Sequence, residues 1–95
     1  MSQERPALPP GLTLARTTPE FTATTVPAGL LKAHRVADGV WGRLRVLAGS
    51  LTFAFEDGEQ PPRTVGAGQE QVIPPGRAHA VTPAADARFV IDFFR

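Results

Sequence analysis

Short apolar runs separated by proline and glycine set the rhythm of this chain, and none of them keeps a helical period. The clearest alternation is Leu51 to Glu56, where Leu51, Phe53 and Phe55 share one face of an extended strand. Val40 to Leu47 and Ala87 to Phe94 are longer runs rich in branched and aromatic side chains, which suit a pleated surface. Gly29 to Val36, Thr64-Val65, Gln71 to Ile73 and His79 to Thr82 complete the expected strands. Turn chemistry stands between them. Asp38-Gly39 and Asp57-Gly58 supply the positive φ that tight reversals need, Ala48-Gly49-Ser50 is a further short turn, and Pro74-Pro75-Gly76 is a rigid one. The first twenty residues carry Pro6, Pro9, Pro10 and Pro19, which disfavour a packed helix and predict an extended arm over 1–20. Residues 21–95 then form one all-β domain, a sandwich or barrel.

Ninety-five residues suffice for one core and not for two. The chain has no cysteine, which removes disulfides, thiolate metal ligands and cysteine nucleophiles together. Ten basic against nine acidic side chains give a net charge of +1, so no field is present that would draw nucleic acid. Charge and proline near the start, as in Glu4, Arg5 and Pro6, do not suit a signal peptide, and no window is apolar enough for a membrane-spanning helix. A cytoplasmic protein without membrane or nucleic-acid partners is the expectation.

The chain contains two histidines, His34 and His79, each in or beside an expected strand. Without cysteine, neutral imidazole is the commonest remaining ligand type for a transition metal, although a histidine on a strand is more often structural. His79 closes the stretch Gly68 to His79, with five residues before Pro74, one before Gly76 and two before the histidine. That spacing matches the second motif of the cupin superfamily. Glycine allows the entry turn, Pro-x-Gly forces a reversal, and the histidine starts a strand facing the barrel mouth. The first cupin motif is poorly met. Its histidine pair would fall near Val36 and Asp38 and its glutamate on Gly42, and Pro83 stands where asparagine often ends the second motif.

Three further blocks resemble one family within that superfamily. They are Val26 to His34 followed by Gly39 to Gly49, then Val72 to His79, then Arg88 to Phe94. As a set they are similar to the TehB/YeaR-like family, over nearly the whole chain from about Pro19. The resemblance implies a small single-domain cupin-type barrel, a double-stranded β-helix or jelly roll, whose histidines could hold a metal. The family supplies the leading domain of tellurite-resistance methyltransferases and free-standing proteins linked to nitrate or nitrite response. Methyl transfer is not carried over, because no residues remain here for a methyltransferase domain.

With that support His34 and His79 become the first-choice ligands for a divalent transition metal, with Zn, Fe, Ni and Mn all open. Asp92 could add a carboxylate, and its alternative is an ion pair with Arg43. Asp38 is explained by its turn and Glu70 by a solvated strand end. Trp41 and Arg43 are candidate pocket residues, Trp41 being more often a core or interface anchor. Two functions follow. The first is a metal-binding, stress-response module that takes a small molecule or oxyanion. The second is a metal-dependent oxygenase or isomerase using the same site, with Asp92 as third ligand or base. A homodimer through sheet edges or aromatic faces is a further expectation.

Overall fold

The computed structural model describes residues 6–31 and 34–95. Among these, eight strands run in chain order: β1 (Leu14–Thr17), β2 (Phe21–Thr22), β3 (Trp41–Ala48), β4 (Ser50–Phe55), β5 (Arg63–Gly66), β6 (Glu70–Ile73), β7 (His79–Pro83) and β8 (Arg88–Phe94). Strands β1, β8, β3 and β6 lie side by side in one sheet, with β2 also on β8, and β5, β4 and β7 form a second. Every strand pairing is antiparallel. The all-β expectation holds.

Two-residue alternation decides what each strand buries. In β3, Gly42, Leu44 and Val46 are buried while Arg43 and Arg45 stand on the other face. In β4, Leu51, Phe53 and Phe55 are buried as their spacing predicts. These side chains, with Val65, Ile73, Val81, Phe89 and Ile91, make one core between the sheets. The turn joining β3 to β4 depends on Gly49. Its φ is +66°, and a Cβ there would stand 2.6 Å from the Asp86 carbonyl oxygen, so only glycine fits without displacement.

Two expectations need correction. The described residues of the segment Gly29 to Val36 do not form a continuous strand. Pro27 initiates a single 3-10 turn over Ala28–Leu30, in which the Leu30 amide donates to the Pro27 carbonyl and Leu30 is buried. Proline fixes φ at the start of the turn, and the compact turn brings Leu30 into the core. Lys32 and Ala33, within the same expected strand, lie outside the described residues. Among its described residues, His34 and Val36 make strand-like bridges, to His79 and Pro75.

The described part of the stretch 1–20 turns at Pro10-Gly11, where Gly11 has a φ of +85°, and is more than an arm, because β1 belongs to the sheet. Leu14, Arg16 and Thr17 pair with Phe94, Phe93 and Asp92 of β8, and Thr13 and Arg95 exchange two backbone hydrogen bonds beyond them. Met1 to Arg5 lie outside the described residues.

Candidate functional site

Strand β7 begins at His79, directly after the Pro74-Pro75-Gly76 reversal, and opposes Phe55 of β4. Inward orientation follows from that register, and His79 is almost fully buried. His34 reaches it from the segment after the 3-10 turn. The two residues exchange backbone hydrogen bonds of 2.9 Å in both directions, which fixes their Cα positions opposite one another. Their rings lie 5.1 Å apart, edge to face, with His34 Nδ1 3.4 Å from His79 Nε2. Phe53 stacks on the ring of His79 at 5.4 Å.

Both imidazoles are held neutral. Burial lowers the pKa of His34. Burial also drives His79 down to about 4, with the neighbouring His34 acting in the same direction and a hydrogen bond to the Arg77 carbonyl opposing. That carbonyl lies 3.4 Å from His79 Nδ1 and accepts from it when the proton sits there, which leaves the Nε2 lone pair aimed at His34.

A tetrahedral ion with two nitrogen ligands at about 2.05 Å would hold those nitrogens about 3.3 Å apart. The observed 3.4 Å therefore suits either a shared cation or an N–H···N hydrogen bond, and the donor set fits half of a tetrahedral complement. Among the described residues no group of three or more His, Cys, Asp or Glu side chains is placed to hold one ion.

Asp92 is not brought to the histidines. It faces Arg43 across the β3–β8 ladder, on the side of the sheet opposite Leu44 and Ile91 of the core. Its carboxylate accepts from Arg43 Nε at 2.9 Å, Arg45 Nε at 2.7 Å, Arg45 Nη2 at 3.0 Å and Thr17 Oγ1 at 2.7 Å. Burial alone would raise its pKa. The hydrogen bonds from Arg45, Thr17 and Arg43 outweigh that and hold it at about 2. The ion-pair alternative for Asp92 is the arrangement present, and it occupies the carboxylate that the enzyme reading wanted as ligand or base.

Trp41 and Arg43 share that outer face. Arg43 also covers the Phe94 ring, its guanidinium 4.9 Å from the centroid, and Trp41 is half-buried opposite Phe94 in the ladder. Asp38 sits in its turn, and Glu70 is an exposed strand end. Sequence reasoning missed Arg45 and Thr17 as partners of Asp92. The alternation that puts Arg43 on the outer face puts Arg45 there too, so Arg45 was within reach of pattern alone. Thr17 comes from a strand the arm was not expected to contain.

One cavity borders Phe53, the ring stacked on His79, and another borders His34 itself. The first, about 240 Å³, is lined by Phe53, Phe55, Gln60, Pro61, Pro62, Arg63 and Gln71. Arg63 there donates to the Oε1 of buried Gln71 at 2.8 Å. The other, about 320 Å³, opens beside His34 between β1 and the 34–40 segment.

Comparison with known proteins gives the family and the fold type. A family model described as the TehB-like domain matches residues 16–91. The chain belongs to the TehB-like domain family. It is also 35% identical over 88 residues to an uncharacterized protein, YeaR, of Escherichia coli strain K12, across 83% of this chain and 74% of that one. A crystal structure of an Escherichia coli K12 protein superposes with a TM-score of 0.83 at 30% identity, covering 94% of this chain and 95% of that chain. A cupin-2 domain protein from Shewanella frigidimarina gives a TM-score of 0.54 at 26% identity, over 85% of this chain and 64% of the other. The TehB-like barrel is thus of cupin type, as the spacing before His79 implied.

Proposed function

We propose that this TehB-like domain is a metal-dependent binding module, in which His34 and His79 hold one divalent transition metal and leave its remaining positions to water and a small-molecule or oxyanion ligand. The observation that carries the reading is the 3.4 Å separation of two neutral ring nitrogens from segments 45 residues apart. Neutral imidazoles can ligate without first losing a proton, so the site is ready for a cation at pH 7. The Arg77 carbonyl sets the orientation of His79 through its other nitrogen, as outer partners of histidine ligands commonly do. Phe53 walls the buried side, so access is from the side of half-buried His34. A bound divalent ion would supply a positive charge with open positions that attract an anionic or polar ligand.

The test is metal analysis of protein purified without an immobilised-metal column and reconstituted with zinc, nickel, iron or manganese in turn. Near-stoichiometric uptake of one of these, lost in His79→Ala and reduced in His34→Ala, is expected. Less than about 0.1 ion per chain with every metal, unchanged by His79→Ala, rejects the reading.

A further inference from the structure

The groove beside His34 has a chemistry of its own. Its walls are Ala15, Val36, Ala37, Val40 and Phe93, and Arg16, Arg35 and Arg95 also line it, with no acidic side chain among the lining residues. Arg16 lies at the edge strand β1, exposed, with its guanidinium held 4.9 Å from the centre of the Phe93 ring. Cation–π contact fixes the group over an apolar wall and leaves its N–H fork open, because among the described residues neither Arg16 nor Arg95 has a carboxylate partner. Arg95 is anchored through its backbone by the paired bonds with Thr13. Arg35 adds a third positive charge to the lining, although one of its N–H groups is committed to the Gly76 carbonyl at 2.6 Å.

Four other arginines make a contrast. Arg43 and Arg45 are tied to Asp92, Arg77 to Asp57 and Arg88 to Glu20. Arg16 and Arg95, without carboxylate partners among the described residues, therefore line one concave groove that is part apolar and part polar, in a volume at the small end of the range for ligand sites.

We propose that this groove binds a small organic anion, its carboxylate or comparable acidic group on Arg16 and Arg95 and its apolar body against Phe93, Val36 and Val40. An inorganic oxyanion would leave the apolar wall unused, whereas an aryl or short acyl carboxylate satisfies both halves of the site. His34 lines the same groove, so such a ligand would lie next to the histidine pair. The proposal names the ligand class for the binding module, yet its charge recognition depends on arginine and not on a metal.

The experiment titrates the full chain in EDTA with benzoate, its neutral isostere benzamide and benzylamine, followed by calorimetry or by NMR shifts. Benzoate should bind at least about tenfold more tightly than benzamide, and benzylamine should not bind, given the strength of charge-assisted hydrogen bonds. Arg16→Gln should weaken benzoate about tenfold, Arg16→Lys less, and Arg95→Gln in the same direction. Equal affinity for benzoate and benzamide, no benzoate binding up to about 10 mM, or full affinity in both glutamine variants overturns the proposal. Benzoate binding that appears only with added zinc and ignores Arg16→Gln also overturns it, while leaving the metal reading intact. Binding in EDTA by protein that takes up no metal upholds the proposal and removes the metal reading alone.

Discussion

Protonating His79 must oppose folding, and the size of that effect can be worked out. The imidazole titrates near 6.5 when free and near 4 in the folded protein. A folded-state pKa below the unfolded one means that the unfolded chain binds the extra proton first. The stabilisation is therefore complete above about pH 6.5 and is lost as pH falls toward 4. At 1.36 kcal/mol per unit, the shift of about 2.5 units corresponds to about 3 kcal/mol, most of it lost between pH 7 and pH 4. His34 is shifted in the same direction and adds to the trend. Carboxylates such as Asp92, held at about 2, contribute mainly below this window. Urea unfolding at pH 7, 6, 5 and 4, read by the single tryptophan, Trp41, measures the loss. EDTA throughout removes the separate pH dependence of any bound cation. The control is His79→Gln, which keeps a buried polar side chain but cannot titrate. Wild type should lose about 3 kcal/mol more than this variant between pH 7 and pH 4. Parallel curves, separated by less than about 1 kcal/mol of differential loss, would refute the claim that the imidazole is held neutral by burial.

Further outcomes follow from the outer face and the turns. Asp92→Asn should cost about 2–3 kcal/mol in urea unfolding, toward the low end for breaking a buried ion pair because both arginines keep some solvent. The same variant should leave metal uptake unchanged, and a loss of metal would return Asp92 to the site. Gly49→Ala should cost more than about 2 kcal/mol, since it adds a backbone clash with Asp86 to an unfavourable positive φ. Gly58→Ala, at φ +75° with open space around it, should cost only about 1 kcal/mol, and equal losses at the two positions would show that the Asp86 contact is not what fixes Gly49.

The difference between what the chain disclosed and what it concealed lies in the range of the interactions. Alternation in β4, and the Pro74-Pro75-Gly76 reversal ahead of His79, are local statements, so strand faces and the inward histidine were legible directly. The pairing of His34 with His79 is long-range, yet it could be expected because a family pattern carries both ends. Asp92 was ambiguous for a physical reason. In an isolated run Arg88 to Phe94, the residues 90, 92 and 94 form a face as credible for the interior as 89, 91 and 93, and Val90 and Phe94 are in fact buried too. Only the register against β3, which sets Asp92 opposite Arg43 and Ile91 opposite Leu44, determines which face looks at the core. A slip of one residue would have turned the carboxylate inward, among the apolar core side chains, and left Ile91 among arginines. Two cations, a threonine hydroxyl and the lost burial of Ile91 all oppose that slip. The ion pair on the outer face thereby helps fix the register of the central ladder, and with it which side of β8 meets the core.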